Sequence, residues 1–309
     1  MAIEILQTHK LLDSCETALA ARYTVHKLHE ATDRDGLLAS AGQRVRAIAG
    51  GNVGPALMDQ LPRLEIIANF GVGYDSIDTA AAKARNVRVT NTPNVLNNAV
   101  AELAVGLMIA LGRRIPQADQ FVRQGRWPHG AYPFQSELNG KTLGILGLGR
   151  IVKEIATRAQ AMKMRVVYHG RHQQPDEPYL YYDNLIAMAR DIDWLMVIAP
   201  AAKGTDKIVS RAVLEALGPE GFLVNMARGS LVDEAALVEL LQSRALGGAA
   251  LDVFEKEPQV PAALLSLDNV VLSPHQGSAT LQTRNKMGAL VVANLDAHFA
   301  GEPLPSAVV

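Results

Sequence analysis

The 309-residue chain has a single cysteine, Cys15, which excludes an internal disulfide framework and fits a reducing compartment. Charge of either sign is not in excess: 30 basic and 31 acidic residues are interspersed and leave a formal net charge of −1. That balance gives no electrostatic footprint for nucleic acid or for an acidic membrane surface, so neither partner is expected. No apolar run reaches the length of a membrane span. The first turns carry Glu4, His9 and Asp13, unlike a signal peptide. The eight histidines show no metal-ligand spacing, so no metal site is expected. His26 and His29 can share a helix face, and with no cysteine or carboxylate cluster beside them they read as surface residues. These absences leave a cytoplasmic protein, long enough for two domains with sizeable cores.

What is present is centred on Lys141–His172. An apolar run at 142–146 reads as a buried strand, followed by Gly147-Leu148-Gly149-Arg150-Ile151-Val152 and a helical pattern to about Met162. A second apolar run, 164–168, completes a strand–glycine turn–helix–strand unit of the kind that binds a dinucleotide. Gly147 permits the tight turn, Gly149 lets a pyrophosphate approach the backbone, and the helix start faces the anion with its free amides. Val152 stands where a third glycine usually brings helix and strand together, and is expected to hold them slightly apart.

A dinucleotide site selective for NAD places an acidic residue at the end of the second strand. Here that end reads Tyr168-His169-Gly170-Arg171-His172, with no carboxylate before Asp176. A guanidinium can grip the extra phosphate of NADP with paired, charge-assisted hydrogen bonds, so NADPH is expected over NADH, with Arg171 the main contact and His172 helping. The plainer alternative is a solvated loop arginine.

Before this unit, residues 1 to about 96 alternate strands and helices, which argues for a parallel sheet covered on both faces. Strands are expected at 3–6, 23–28, 45–49, 64–68 and 87–90, with helices at 13–22 and 56–60. The strand at 64–68 opens into Asn69-Phe70-Gly71-Val72-Gly73-Tyr74-Asp75, with a helix expected near Ser76. The amides of Val72 and Gly73 then form a nest for a substrate carboxylate, or else the turn holds no ligand. Residues 99–111 hold one charge, Glu102, and read as a helix buried on every side, between domains or between subunits. A helical pattern resumes to about Gln124. Trp127, in the loop after it, is expected to serve packing, or to cap a pocket. Further strands are expected at 194–199, 222–225, 247–253 and 270–272, helices at 210–217 and 234–244, and a last helix at 279–300 returning to the first domain.

Three strand-end loops carry the chemistry. Arg228 follows the strand at 222–225, Glu257 the one at 247–253, and His275 the one at 270–272. Arg228 can bind a carboxylate and polarise a keto oxygen. His275 can protonate that oxygen as a general acid, and Glu257 can orient the imidazole and stabilise its charge. Each residue also has an ordinary alternative: a hydrogen-bonded loop histidine, a carboxylate held by Pro258, an arginine paired with Asp233.

In this order GLGRI, NMARGSLVDE, DVFEKEP and SPHQGSAT resemble the signatures of the D-isomer-specific 2-hydroxyacid dehydrogenase family, especially its NADPH-preferring glyoxylate/hydroxypyruvate reductases. The resemblance extends to FGVGYDSID at 70–78 and NTPNVLNNAVAELA at 91–104. It implies two doubly wound parallel-sheet α/β domains: a Rossmann dinucleotide-binding domain, residues 99–281, inserted into a flavodoxin-like substrate domain, residues 1–98 completed by 282–309. It implies Arg228, Glu257 and His275 as catalytic residues, and substrate contacts from Val72, Gly73, Arg228 and His275. Cofactor contacts are implied at Gly147, Leu148, Gly149, Arg150 and Ile151, at Arg171 and His172, and at Ala199, Pro200 and Thr205. Met226, Ala227, Arg228, Asp252, His275 and Gly277 are implied along the nicotinamide half. The resemblance also implies a cytoplasmic homodimer that reduces a small 2-keto acid to the D-2-hydroxy acid. A formate dehydrogenase-like enzyme and a non-enzymatic dinucleotide-sensing regulator are the competing readings.

Overall fold

The computed structural model describes residues 2–202 and 204–309. The chain forms two compact units, Met1–Leu96 with Ser278–Val309, and Asn97–Gly277.

The first unit is built from β1 (Glu4–Gln7), α1 (Asp13–Ala20), β2 (Thr24–Lys27), α2 (Arg34–Ala41), β3 (Val45–Ala49), α3 (Pro55–Asp59), β4 (Ile66–Ala68), α4 (Thr79–Ala84) and β5 (Arg88–Thr90). All five strands are parallel in the order β2-β1-β3-β4-β5, the flavodoxin-like arrangement. The C-terminal helix Leu281–Ala300 packs on this unit, where Ser14 bonds Asn285 and Tyr23 bonds Asp296. The last strand residues, Lys27, Gln7, Ala49, Ala68 and Thr90, pair in a single row. Their loops therefore leave from one edge.

Several expectations change here. Helix α4 begins at Thr79, three residues later than expected, because Asp78 caps it by accepting from the amide of Ala81 at 2.8 Å. His26 lies on strand β2, not a helix, and bonds Glu4 at 2.8 Å; His29 is largely buried, with Nε2 3.5 Å from Glu30. Neither is a free surface residue. Helix α2, which Asp33 caps through the amide of Gly36, has only a weak apolar stripe and was not expected from the pattern.

The second unit continues with α5 (Asn97–Gly112), α6 (Ile115–Arg123), β6 (Thr142–Leu146), α7 (Arg150–Ala161), β7 (Arg165–His169), β8 (Leu180–Tyr182), α8 (Leu185–Arg190), β9 (Trp194–Val197), α9 (Arg211–Leu217), β10 (Phe222–Asn225), α10 (Glu234–Gln242), β11 (Gly248–Leu251), α11 (Ala262–Leu265) and β12 (Val270–Leu272). The seven strands are parallel in the order β12-β11-β10-β9-β6-β7-β8. Counted from β6, this is the Rossmann order extended by one strand. Apart from the edge strand β8, its near-continuous apolar strands are largely buried, as a sheet covered on both faces requires. The strand ends His169, Leu146, Val197, Asn225, Leu251 and Leu272 again form one row.

Within the single chain, helix α5 is not covered on every side. Ala101, Ala104, Leu107, Met108 and Leu111 are buried, but Leu103, Val105, Ile109 and Ala110 stay half-exposed and Gly106 is open. Trp127, in a 3-10 turn after α6, is 66% exposed instead of packed, and Phe134 is fully exposed.

Candidate active site

At the end of β6, Gly147 takes φ +97°, a left-handed conformation that favours glycine, and an added Cβ would lie 3.2 Å from the Ala199 backbone. Gly149 caps α7 from an extended conformation, and an added Cβ would meet nothing within 4 Å. No side chain caps this helix, so its first amides are open to an anion. The space above Gly149 is what a dinucleotide pyrophosphate needs, and the residues fit it. Val152 is buried on the inner face of α7 with Ile155, Ala156 and Ala159, taking part in packing where a glycine could not.

Beyond β7, Arg171 and His172 are exposed. The loop they occupy is held from both sides: the amide of Gln174 donates to the Tyr168 hydroxyl at 2.7 Å, and its Nε2 donates to the Leu148 carbonyl at 2.9 Å. Glu177, a carboxylate of the same loop, is engaged by Lys153. Ala199 adjoins Gly147, Pro200 is exposed beside it, and the Thr205 hydroxyl closes a turn on Ala202 at 2.8 Å.

The loops after β10, β11 and β12 start from neighbouring positions of one row, and two strand spacings separate the outer pair by only about 10 Å. Two sets of contacts then bind them together, and a third shapes the first of them. An added Cβ at Gly229 would lie 2.0 Å from the Phe254 carbonyl carbon, so the backbone after Arg228 runs directly against the loop that carries Glu257. Asn225 shapes the Arg228 turn, donating to the Arg228 carbonyl at 3.0 Å and accepting from the Ala227 amide at 3.1 Å. Asp252, 1% exposed, accepts from the Ser273 hydroxyl at 2.6 Å and from the amides of Gln276 at 2.8 Å and Gly277 at 2.9 Å. Asp252 thus holds the His275 loop, and its Oδ2 keeps room for one further donor.

His275 sits at φ +49°, an uncommon conformation for a residue with a side chain, which costs about 1–3 kcal/mol. Its amide is fixed by the carbonyls of Asp252 at 2.8 Å and Ser273 at 3.1 Å. Glu257 reaches it: Oε2 lies 2.7 Å from His275 Nδ1, while Oε1 accepts from the Phe254 amide at 3.0 Å. With Nδ1 held by the carboxylate, Nε2 remains for chemistry. Arg228 Nη1 donates to the Ala227 carbonyl at 2.7 Å, and Asp233 is occupied in capping α10. Met226 and Ala227 are buried, and Gly277 lies beside Met226 and Asp252.

In the first unit, Val72 and Gly73 lie in the loop after β4. With α4 beginning only at Thr79, no helix start adjoins their amides, so the nest rests on loop geometry alone. Among the described residues neither amide is the donor of a backbone hydrogen bond. Arg284, on the C-terminal helix, was not singled out by any motif. Its guanidinium lies 5.4 Å from the centre of the Phe70 ring, and among the described residues no carboxylate acts on it. Burial disfavours its charge, and burial also pushes the nearby His9 below its ordinary value.

Residues 105–277 match the model of the D-isomer specific 2-hydroxyacid dehydrogenase, NAD binding domain, family. The chain is 43% identical to glyoxylate/hydroxypyruvate reductase A HPR2 of Arabidopsis thaliana and 42% identical to hydroxyphenylpyruvate reductase of Plectranthus scutellarioides, covering 100% of this chain and 99% of each relative. The NADPH-dependent glyoxylate/hydroxypyruvate reductase of Sinorhizobium meliloti, solved with NADP and malonate, superposes with a TM-score of 0.95 at 44% identity, covering 100% of this chain and 97% of that one. The chain belongs to the D-isomer-specific 2-hydroxyacid dehydrogenases. It is an NAD(P)-dependent oxidoreductase whose relatives are named for reducing 2-keto acids. Among the described residues no helix is long and apolar enough to cross a membrane, and no cluster of metal-ligating residues occurs.

Proposed function

We propose that this enzyme reduces glyoxylate, hydroxypyruvate or a similar small 2-keto acid to the D-2-hydroxy acid, using NADPH in preference to NADH. The observation that carries the chemistry is the 2.7 Å contact from Glu257 to His275 Nδ1 on a strand edge shared with Arg228. The bound cofactor supplies a hydride to the keto carbon. His275 delivers the proton from Nε2 to the keto oxygen, which becomes the new hydroxyl. Glu257 holds the imidazole in place and compensates its positive charge. Arg228 binds the carboxylate and polarises the carbonyl, with the amides of Val72 and Gly73 as further donors.

On the cofactor side, Gly147, Leu148, Gly149, Arg150 and Ile151 receive the pyrophosphate, and Ala199, Pro200 and Thr205 line the neighbouring strand end. Met226, Ala227, Asp252 and Gly277 flank the nicotinamide, together with Arg228 and His275. NADPH preference is carried by Arg171, with His172 beside it, on a strand end that lacks a competing acid. Arg171→Ala raises the KM for NADPH roughly 10–100-fold, the worth of a charge-assisted hydrogen-bond pair, and shifts that for NADH by no more than about 2–3-fold. Equal effects on both cofactors overturn the assignment. Initial rates of NADPH and NADH oxidation over a panel of 2-keto acids test the function as a whole.

We infer a homodimer from the outward stripe of α5. Ile109, Ile115, Tyr132, Pro133 and the fully exposed Phe134 line an open groove of about 740 Å³ on that side of the second unit. An apolar patch of this kind marks an interaction surface. Phe134→Asp converts the dimer to monomer in light scattering at micromolar concentration; an unchanged mass overturns the placement of the interface.

A further inference from the structure

In the first unit, the three consecutive carbonyls of the 71–73 loop all accept hydrogen bonds. Asn69, 4% exposed at the end of β4, donates from Nδ2 to the Gly71 carbonyl at 3.1 Å and to the Gly73 carbonyl at 2.9 Å. The Gly71 carbonyl also accepts from the Thr92 amide at 2.9 Å. The Val72 carbonyl accepts from Asn91 Nδ2 at 2.9 Å. These peptide bonds are trans, the only cis bond among the described residues being Glu257–Pro258. In a trans peptide the C=O and the N–H of one plane point in opposite directions. Holding the Gly71 carbonyl therefore turns the Val72 amide away from Asn69 and Thr92, and holding the Val72 carbonyl turns the Gly73 amide away from Asn91.

The two asparagines are themselves anchored. The Asn69 amide donates to the Thr90 carbonyl at 3.0 Å, and the Asn91 carbonyl accepts from the Ser306 hydroxyl at 2.6 Å. Ser306 is held in turn by Asn294 of the C-terminal helix, fully buried, through bonds of 2.8 Å and 3.2 Å. A Cβ added to Gly51 would lie 2.9 Å from Asn69 Oδ1. An asparagine bonded twice by its other terminal atom cannot turn away without releasing the loop. Gly51 is glycine to leave it room.

We propose that Asn69 and Asn91 are positioning residues that keep the amides of Val72 and Gly73 aimed at the carboxylate of the substrate, with Gly51 as the gap that lets Asn69 do so. The proposal rests on the reading of that loop as the carboxylate nest. Its physical content is preorganisation: the cost of orienting two backbone dipoles is met on folding instead of on binding.

The test compares the wild type with Asn69→Asp and Asn91→Asp, which remove donors at constant volume, and with Gly51→Ala, which displaces Asn69 without adding charge. KM for the keto acid and the inhibition constant of malonate, a non-reducible dicarboxylate, rise together at least about 10-fold in all three. Saturating kcat falls less than about 3-fold, and the NADPH Kd by protein fluorescence does not move. Constants within about 2-fold of wild type in Asn69→Asp and Gly51→Ala overturn the proposal. A lowered Tm with reduced kcat and unchanged KM also overturns it, because that pattern marks a merely structural role. Should the wild type reduce no 2-keto acid, the proposed reaction fails separately. Malonate calorimetry on wild type and Asn69→Asp then decides the clamp: tight binding lost in the variant supports it, and no binding or equal binding overturns it.

Discussion

His275→Ala lowers the turnover of keto-acid reduction roughly 10²–10⁴-fold, the span of general acid catalysis by a positioned side chain. The NADPH Kd stays close to wild type, because the backbone that holds this loop is fixed by Asp252 and not by the imidazole. The loop itself depends on tertiary support, since its φ of +49° is kept by two carbonyls and three acceptor bonds of one buried carboxylate. Glu257→Gln separates orientation from charge: the glutamine can still meet the Phe254 amide at Oε1, but it no longer compensates an imidazolium. Its turnover lies between wild type and His275→Ala. Near-normal turnover of His275→Ala at saturating substrate removes the residue from the mechanism. Stopped-flow measurement of a single NADPH oxidation keeps the hydride step apart from product release.

Arg228→Lys reduces kcat/KM roughly 10²–10³-fold, the loss seen when one donor to a developing oxyanion is removed. Lysine keeps the positive charge but presents a point donor on a flexible stem, so it cannot grip a carboxylate and lean on the keto oxygen with a single planar group. The approach of the Arg228 loop to its neighbour sharpens the test. Gly229→Ala leaves the guanidinium intact yet drives a methyl group into the Phe254–Glu255 peptide, where the gap is 2.0 Å. Relief requires the two backbones to part, which costs about 1–3 kcal/mol or more and carries Arg228 away from the Glu257 loop. Both variants therefore lose activity, but only Gly229→Ala also lowers the Tm. Arg228→Lys with kcat/KM within about 3-fold of wild type sinks the role given to the guanidinium.

Much of the fold was legible along the chain. The strands at 45–49, 222–225 and 270–272 were read at their observed bounds, because short buried runs between turn residues leave little choice of register. What was missed has weak local signals. Helix α2 contains Gly36 and lacks a clear apolar stripe, and β8 is a three-residue edge strand, half-exposed, that exists through pairing with β7. The stripe that α5 leaves half-exposed within one chain is not legible, since a uniformly apolar sequence does not say which side meets its own chain and which a second subunit. The helix after the 71–73 loop starts at Thr79 and not near Ser76, because Asp78 supplies its cap.

The three residues assigned to the chemistry stood out because each follows a buried strand. Asn69, Asn91 and Arg284 did not: ordinary polar residues in turns or on a helix acquire meaning only from what lies across from them.

By itself the sequence determined the alternation of strands and helices, the glycine turn after β6, the family, and the residue types at each strand end. Those properties are local, being set by side-chain period, by the conformational freedom of glycine and by the order of motifs. Only the tertiary structure decided that the strand ends form a flush row, that Glu257 reaches Nδ1 of His275, and that two asparagines hold the 71–73 carbonyls. Those properties depend on distances of a few ångströms between residues far apart in the chain, which packing and hydrogen bonding set and no single stretch encodes.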